Sequence, residues 1–508
     1  MWPFRKKSAP EAGGDPIRDA LANARSFSAA EVDEILGPWT FDSGFSNGEI
    51  GGALATVRSR CRDMAKNSEY FHRWIQLFVA NVVGPGGFRF KSTAEAAERP
   101  SAVGAPDSAA ALFLETHWER WASDPGCVDA AGAMDLPALL RLAAEGWARD
   151  GEAFIIIDRA AQNPYGISLR VIRPDCCDAT LNSDLGGGRV IRLGVERDAS
   201  SLRPLAYYFD ASRADPTATF LNSRPRVRVR ASDVIHLFTP HDAGQARGFP
   251  LGHAAVRALK MLDEYRKSEL VAARDNTNTL GFFTAPAGRD GEIKPLASDE
   301  HVRNRLEEPS YPGKKTILRS GWDYKWTHPE HPNVALGPFE SAILRGVASG
   351  LGVEYANFAN NWAAVSYSSV RAGTLAERDQ WLTLQAVLVS RVLNPLYRAW
   401  LRQFLSLRVS GGLYTSADFA RLLPHEFIGR RWQWVDPMKD VSAAVVAIKN
   451  GLTTQSRVAA EFGTDADDNI LENARINEAF KDAGLPSPFT PGKEAATTEK
   501  EQDDEKNQ

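Results

Sequence analysis

Apolar residues recur every three or four positions along much of this chain, which is the spacing of an amphipathic helix. The spacing predicts helices over Ala53–Val83, Ala109–Ser123, Leu136–Arg149, Leu251–Asp275 and Phe339–Leu351. A longer run from Trp381 to Phe404 predicts one long helix that contains Pro395. Because proline lacks a backbone donor and clashes one turn back, this helix is expected to bend there.

The pattern changes between residues 151 and 238, where short β-branched and aromatic runs are separated by Asp, Gly, Asn and Pro. These runs predict a mostly antiparallel sheet with strands at Ala153–Asp158, Ser168–Ile172, Val190–Val195, Leu205–Phe209 and Val227–Phe238. Beyond residue 430 the pattern predicts a short strand at Trp432–Trp434 and three short helices. The whole pattern indicates an α+β fold.

Three regions lack a clear period. Residues 1–52 are rich in Gly, Pro, Ser and Ala and are expected to form a mobile N-terminal arm. Residues 276–336 are too rich in proline for long helices, which predicts a small mixed insert carried on two helices. Residues 487–508 form an acidic tail without aromatic residues, which is expected to be disordered.

Composition narrows the class of protein. The chain has 508 residues, 43% apolar and 24% charged, with a formal net charge of −4. This balance argues against tight binding of nucleic acid through phosphate neutralisation, but it allows a nucleic acid to slide past. The four cysteines show no Cys-x-x-Cys spacing, which favours reduced thiols. Without a secretory signal or an apolar run long enough to span a membrane, the protein is expected to be soluble and intracellular when made.

The segment 354–369 stands out because it is almost free of charge and rich in Asn, Ser and aromatic residues. It lies between the predicted helix at 337–353 and the long helix, so two rigid elements hold it. Such a loop suits a surface that must touch a partner without gripping it. The candidate contact residues are Asn357, Asn360, Asn361, Trp362, Ser366, Tyr367, Ser368 and Ser369.

Two groups of residues resemble sites of chemistry without fulfilling their requirements. His328 and His331 flank Glu330, but the neighbouring prolines prevent a helix and the spacing matches no zinc pattern. Asp150, Glu152 and Asp158 flank a strand, where acids are usually solvated, and nothing supplies a partner or a pocket for acid–base work. We therefore expect neither a metal site nor a catalytic site there.

Two further catalytic patterns fail. Ser232, Asp233 and His236 lie at a strand end, where alternate side chains point to opposite faces, so a hydrolase triad is not expected. The chain contains no Gly-x-x-x-x-Gly-Lys-Ser/Thr motif for a nucleotide phosphate. We expect no enzyme activity, no cofactor and no bound metal.

Several short phrases, in this order, resemble the portal proteins of tailed bacteriophages of the lambda type. They are Arg58–Asn67, Asn81–Gly84, Asp150–Ala153, Ile172–Asp175, Asp233–His236, Arg247–Leu251 running into Leu259–Ala273, Tyr367–Gly373 and Asn394–Trp400. No single phrase is specific; their order and spacing over about Arg58 to Phe404 carry the resemblance.

The resemblance implies a head–tail connector: a ring of usually twelve identical subunits at one capsid vertex of the virion, assembled in the host cytoplasm. Double-stranded DNA would enter and leave through its central channel without sequence preference. The implied partners are the large terminase subunit, the major capsid and scaffold or protease proteins, and head-completion or adaptor proteins. No membrane is implied.

The resemblance also assigns parts of the chain. It implies an α/β wing at 53–250, stem helices at 251–275 and 337–353, a small α/β clip at 276–336 and a channel loop at 354–369. A long kinked helix at 370–435 would return to the wing, and helices at 436–486 would form a crown. Residues expected at stem or subunit contacts are Ala342, Gly346, Gly350, Arg266, Lys267 and Glu269, and residues expected at clip docking are Tyr311, Lys314, Lys315, His328 and His331.

Two other classes of protein stay open on the sequence alone. One is a soluble α+β hydrolase that uses the acids near 153–158, and the other is a capsid scaffold or adaptor without a channel. End-on electron micrographs separate a ring with a hole from such an adaptor.

Size-exclusion chromatography with light scattering is expected to show a species of many subunits. The reason is that a ring-forming chain assembles through its own surfaces. A well-behaved monomer at high protein concentration would instead favour the hydrolase.

Overall fold

A computed structural model describes residues 46–96, 107–210, 226–278, 281–284, 323–326, 335–363, 366–407, 409, 411–432 and 437–487. The predicted N-terminal arm up to residue 45, most of the clip and the tail beyond residue 487 lie outside these residues. In the described part, no helix is both long and apolar enough to cross a membrane. All four cysteines are free and buried, as expected for reduced thiols.

The N-terminal region is helical, but the first predicted helix is two helices. Helix α1 is Ser46–Asn67 and α2 is Glu69–Val82. The break falls at Ser68, whose extended backbone (φ −103°, ψ 121°) starts a new helix. The next elements are listed in chain order: β1 (Arg89–Ser92), α3 (Ser108–Ser123), α4 (Pro125–Val128) and α5 (Leu136–Asp150).

The sheet region is antiparallel in its strand pairs, as predicted. Strands β2 (Glu152–Asp158), β3 (Ser168–Ile172) and β9 (Val234–Phe238) form a sheet of order β3-β2-β9. A five-stranded sheet follows chain order with β4 (Ser183–Gly186), β5 (Arg189–Arg192), β6 (Val195–Asp198), β7 (Pro204–Asp210) and β8 (Arg226–Arg230).

Two predicted strands are each divided. The run Val190–Val195 turns back at Leu193 (φ 49°) and Gly194 (φ 83°), so it belongs to β5 and β6. The run Val227–Phe238 is interrupted by a 3₁₀ turn at Ala231–Asp233. This turn sends the chain from the five-stranded sheet into the three-stranded one.

Two helices pack side by side after the sheets. Helix α6 spans His253–Asn278 and α7 spans Leu336–Leu351. Their buried residues, which belong to one continuous core, are Ala255, Leu259 and Leu262 on α6 and Leu344, Val347, Ala348 and Leu351 on α7. Between them in sequence, β10 (Gly281–Thr284) pairs with β11 (Asp323–Trp326).

The long helix is modified close to Pro395. Helix α8 (Tyr355–Ala359) is short, and α9 (Tyr367–Leu388) leads through a π turn at Val389–Leu393 into α10 (Asn394–Ser406). A π turn widens the backbone directly before the proline, which cannot donate to the preceding turn.

The remaining elements are α11 (Phe419–Leu422), β12 (His425–Ile428), α12 (Pro437–Lys449), α13 (Gln455–Glu461) and α14 (Ala466–Asp482). The three predicted C-terminal helices are present. The strand of this region is β12, which pairs with β1. Of the predicted strand Trp432–Trp434, Trp432 lies outside any strand, and the other two residues lie outside the described part of the chain.

Two glycines allow the chain to pass from the sheets into α6. Gly151 has a left-handed backbone (φ 87°) that ends α5, and an added Cβ there would overlap the backbone of Phe249. A Cβ on Gly248 would overlap the carbonyl oxygen of Gly151. The two backbone segments therefore touch directly, and only glycine fits at this crossing.

Replacing Gly248 by Ala is expected to lower the free energy of unfolding by about 1–3 kcal/mol, because the added methyl group forces two backbones apart. Gly337→Ala is the matched control, since a Cβ there meets nothing within 4 Å. Alanine at this helical position is expected to be neutral or slightly stabilising. Denaturant unfolding at fixed protomer concentration measures both variants, and equal stability of the two would contradict the crossing.

Candidate functional site

A buried ion cluster lies at the point where the sheets meet α6. Its centre is Glu152, the fully buried first residue of β2. Nη2 of Arg58 on α1 lies 2.6 Å from Oε1 of Glu152, and Nη2 of Arg247 lies 2.5 Å from the same oxygen. Nε2 of His236 on β9 lies 2.9 Å from Oε2. The backbone N–H of Gly248 donates to Oε2 at 2.7 Å.

Arg247 extends the cluster to the other sheet. Its side chain is fully buried and donates to the carbonyl oxygens of Pro174, Cys177 and Leu193 at 3.0, 3.1 and 2.8 Å. These three carbonyls belong to turns around the five-stranded sheet. One guanidinium therefore joins both sheets and the start of α6.

The expectation that the acids at the start of this strand are solvated is wrong. Asp150 is 1% exposed and Glu152 is 0% exposed. Asp150 is paired with Arg62 at 2.6 Å and with Arg149 at 3.0 Å. Burial of a carboxylate requires such partners. Arg149 is adjacent to Asp150 in sequence, but Arg62 is 88 residues away, so local spacing could not reveal it.

The charges of the cluster hold each other in place. Burial alone would raise the pKa of Glu152, but the guanidiniums of Arg247 and Arg58 outweigh it and hold the pKa well below its usual range. The pKa of His236 is lowered by burial, against the attraction of Glu152. The carboxylate is therefore engaged on every side.

Five of the phrases that resemble portal proteins meet at this cluster or border it. They contribute Arg58 and Arg62, Asp150 and Glu152, Pro174 and Asp175, His236, and Arg247 and Gly248. These residues share one structural role, which is to join the two sheets to the start of α6. Two local features of the sequence mark this joint. Glu152 is an acid that begins an apolar strand, and Arg247 is an arginine that directly precedes a glycine.

Asp233 and His236 are engaged with different partners. Asp233 pairs with Arg159 at 2.9 Å, whereas His236 faces Glu152. Across the described residues, no group of three or more His, Cys, Asp or Glu is arranged to hold a metal ion. His328 and His331 lie outside those residues.

The candidate contact segment is more ordered than a plain loop. Gly352 ends α7 in a left-handed conformation (φ 66°), and α8 occupies residues 355–359. Asn360 (φ 51°) ends α8, and Ser366 caps α9 by accepting from the backbone N–H of Ser369. Tyr367, Ser368 and Ser369 therefore form the first turn of α9.

The turn between α8 and α9 is open to solvent. We call residues 360–363 together with Ser366 and Ser369 the exposed turn. Its side chains are solvent-exposed and carry no charge. Their hydrogen bonds are local: Nδ2 of Asn361 donates to the Tyr355 hydroxyl at 3.2 Å, and the hydroxyls of Ser366 and Ser369 are 2.8 Å apart.

Asn357 differs from the other candidates. It is half-buried, and its Nδ2 donates to Oε2 of Glu377 at 2.5 Å. The indole of Trp381 donates to the other oxygen of Glu377 at 3.2 Å. Asn357 thus faces the protein interior, and α8 has an inner side that composition did not reveal.

Arg345 is a cation near this segment that the sequence analysis did not single out. It lies on α7, is exposed, and its guanidinium carbon is 5.3 Å from the centre of the Tyr355 ring. A cation over an aromatic face is held there by the ring quadrupole. Apart from Glu354 at its start, the segment carries no charge of its own, but it has a positive charge beside it.

The predicted stem residues fall into two groups. Ala342, Gly346 and Gly350 lie on an exposed face of α7, where a Cβ on Gly346 would meet nothing within 4 Å. Arg266 is engaged within its own chain, 2.7 Å from Glu69 and 3.5 Å from Glu340. Lys267 is exposed and Glu269 is half-buried. Tyr311, Lys314 and Lys315 lie outside the described residues.

Comparison with known proteins assigns the class and then the family. A sequence model described as "Phage portal protein, lambda family" matches residues 34–385, which is more than half of the chain. Phage portal proteins are structural proteins of the head–tail connector, not a family of enzymes. The chain belongs to the lambda family of phage portal proteins.

Individual relatives cover nearly the whole chain. A probable portal protein of Halomonas phage phiHAP-1 is 29% identical over 500 residues, covering 97% of this chain and 95% of that protein. Portal protein B of Escherichia phage lambda is 25% identical over 495 residues, covering 88% and 89%. Among solved structures, a chain from the neck of a native GTA particle has a TM-score of 0.46 at 14% identity, covering 80% and 93%.

Glu152→Gln is expected to lower the free energy of unfolding by about 3 kcal/mol or more, because it leaves buried guanidiniums without their counter-charge. Glu145→Gln is the control, since that pair with Arg149 is partly exposed and is worth at most about 0.5 kcal/mol. Denaturant unfolding at fixed protomer concentration measures the difference. A Glu152 variant as stable as the control would contradict a structural role for the cluster.

The dependence on pH has a definite sign. The lowered pKa values of His236 and Glu152 mean that the unfolded chain binds protons which the folded chain resists. The free energy of unfolding is therefore expected to fall as the pH drops through the ordinary histidine range and then the ordinary carboxyl range. Glu152→Gln should make the acidic part of this dependence shallower.

Proposed function

We propose that copies of this chain close into a ring, expected to be a dodecamer, at the portal vertex of a phage capsid. Double-stranded DNA passes through the central channel during packaging and ejection, and the exposed turn lines that channel. The observation that carries this proposal is a solvent-exposed turn, held between two helices, on which no side chain bears a charge. Membership of the portal family supports the ring.

The chemistry of the turn fits a moving polyanion. DNA carries about one negative charge per 1.7 Å of helix axis, so a strongly basic lining would hold it through many phosphate contacts. The amides of Asn360 and Asn361 and the hydroxyls of Ser366 and Ser369 make weak bonds that exchange with water. Such a surface guides DNA without stopping it.

The rest of the ring follows from the same assignment. Helices α6 and α7 form the stem, and residues 276–336 form the clip, where the large terminase subunit and later the head-completion proteins dock. The exposed ridge of Ala342, Gly346 and Gly350 allows a neighbouring backbone to approach closely. Helices α12 to α14 form a crown inside the capsid.

The alternative of a hydrolase is weakened at two of its three candidate acids. Asp150 and Glu152 are buried and neutralised by four arginines, so neither can exchange a proton with a substrate. A scaffold without a channel is distinguished by the particle itself, which would lack a central hole.

The double substitution Asn360→Lys and Asn361→Lys is expected to slow or stall DNA packaging, because every subunit then adds two cations to the lining. Asn360→Gln with Asn361→Gln is the matched control, since it lengthens the same two side chains without adding charge. The readout is the rate of DNA filling of heads in vitro. Raised salt should partly restore filling in the lysine variant.

Electron micrographs of both variants establish that the rings are intact before the rates are compared. Unchanged filling by an intact lysine ring would count against a channel lining at this turn.

A further inference from the structure

We propose that Glu377 is a positioning residue that anchors α8 and the exposed turn to α9, so that the turn is held in place from beneath. This inference rests on the proposed function, because it concerns the same segment. It assigns a mechanical role to a buried carboxylate that the channel lining itself does not use.

The anchor is a carboxylate with both oxygens engaged. Glu377 is 7% exposed, and its two oxygens accept from Asn357 at 2.5 Å and from Trp381 at 3.2 Å. Trp381 is itself 2% exposed and belongs to the core. The carboxylate therefore links α8 to a side chain that cannot move without disturbing the core. Burial raises the pKa of Glu377, against the hydrogen bonds from Asn357 and Trp381.

Side chains pack closely against the backbone on either side of the anchor. A Cβ on Gly373 would lie 2.6 Å from Oε2 of Glu354, the residue that opens α8. A Cβ on Gly352 would overlap the side chain of Gln380. The segment that carries the exposed turn thus lies directly against α9 over two helical turns.

A second attachment keeps the segment folded when the anchor is lost. Phe358 is 1% exposed, and its ring lies 5.6 Å from the ring of Tyr70 on α2. This apolar contact holds the far side of α8. Removing the carboxylate is therefore expected to loosen the turn without unfolding the protein.

The test measures amide hydrogen exchange in the assembled full-length protein. Glu377→Ala is expected to speed exchange in peptides covering 354–363 by about tenfold, because the hydrogen bonds to the carboxylate are lost. Glu377→Gln keeps one carbonyl acceptor and should give a smaller increase. Asp379→Asn is the control, because this exposed acid lies on the same helix two positions later.

Two comparisons separate an anchor from a general loss of stability. Exchange in the core helix α3 is expected to stay unchanged, whereas global destabilisation would raise it everywhere. Asn357→Ala should raise exchange in the turn as well, and adding it to Glu377→Ala should give less than the product of the two increases. If Glu377→Ala fails to assemble, Glu377→Gln and Asn357→Ala carry the test.

The outcomes distinguish this inference from the proposed function. Unchanged exchange at 354–363 in the Glu377 and Asn357 variants overturns the anchor, whatever the DNA does. Faster exchange together with an altered rate of DNA filling supports both claims. Faster exchange with normal DNA filling by an intact ring supports the anchor and contradicts the channel role of the turn.

Discussion

The fold depends on one buried carboxylate. Glu152 accepts from two arginines, a histidine and a backbone N–H, and these groups come from α1, the three-stranded sheet and the approach to α6. Burying so many charges is costly unless each one is paired. The pairing therefore fixes the relative position of these elements, and the crossing of Gly151 and Gly248 brings their two backbone segments into direct contact.

This joint explains why short phrases far apart in sequence identify the family. A single phrase such as Asp-Gly-Glu has no meaning by itself, but its glycine makes the backbone crossing and its glutamate binds Arg247. Arg247 also donates to the carbonyl oxygens of Cys177 and of Leu193, and Leu193 lies in the β5–β6 turn. The residues of one buried ion cluster depend on each other's charges, so their types are fixed as a set. Nothing in the local sequence marks them as neighbours.

The sequence predicted the helices and the antiparallel sheet because their apolar periods are set by the face each element buries. It failed where one residue decides the backbone. Leu193 adopts a left-handed conformation that leucine rarely takes, so no propensity marked the β5–β6 turn. Ser68 is another such residue, because its extended backbone divides one continuous apolar stripe into two helices.

In the candidate site, the composition revealed the polar segment but not which of its side chains face the protein interior and which face solvent. Asn357 faces inward to Glu377 and Asn360 faces solvent, because α8 is a helix whose turn separates them. Partners twenty or more residues away, such as Glu377, follow from tertiary packing and leave no local signal. A neutral outer face and a buried inner anchor fit the proposal that this segment touches a moving polyanion while holding its own position.

The position of Trp362 relative to the ring axis tests the central claim most directly. We expect a reconstruction of the assembled protein with DNA in place to show Trp362 and its uncharged neighbours on the channel wall, facing the DNA. A ring in which Trp362 lies on the outer rim, or a particle without a central hole, would contradict the account.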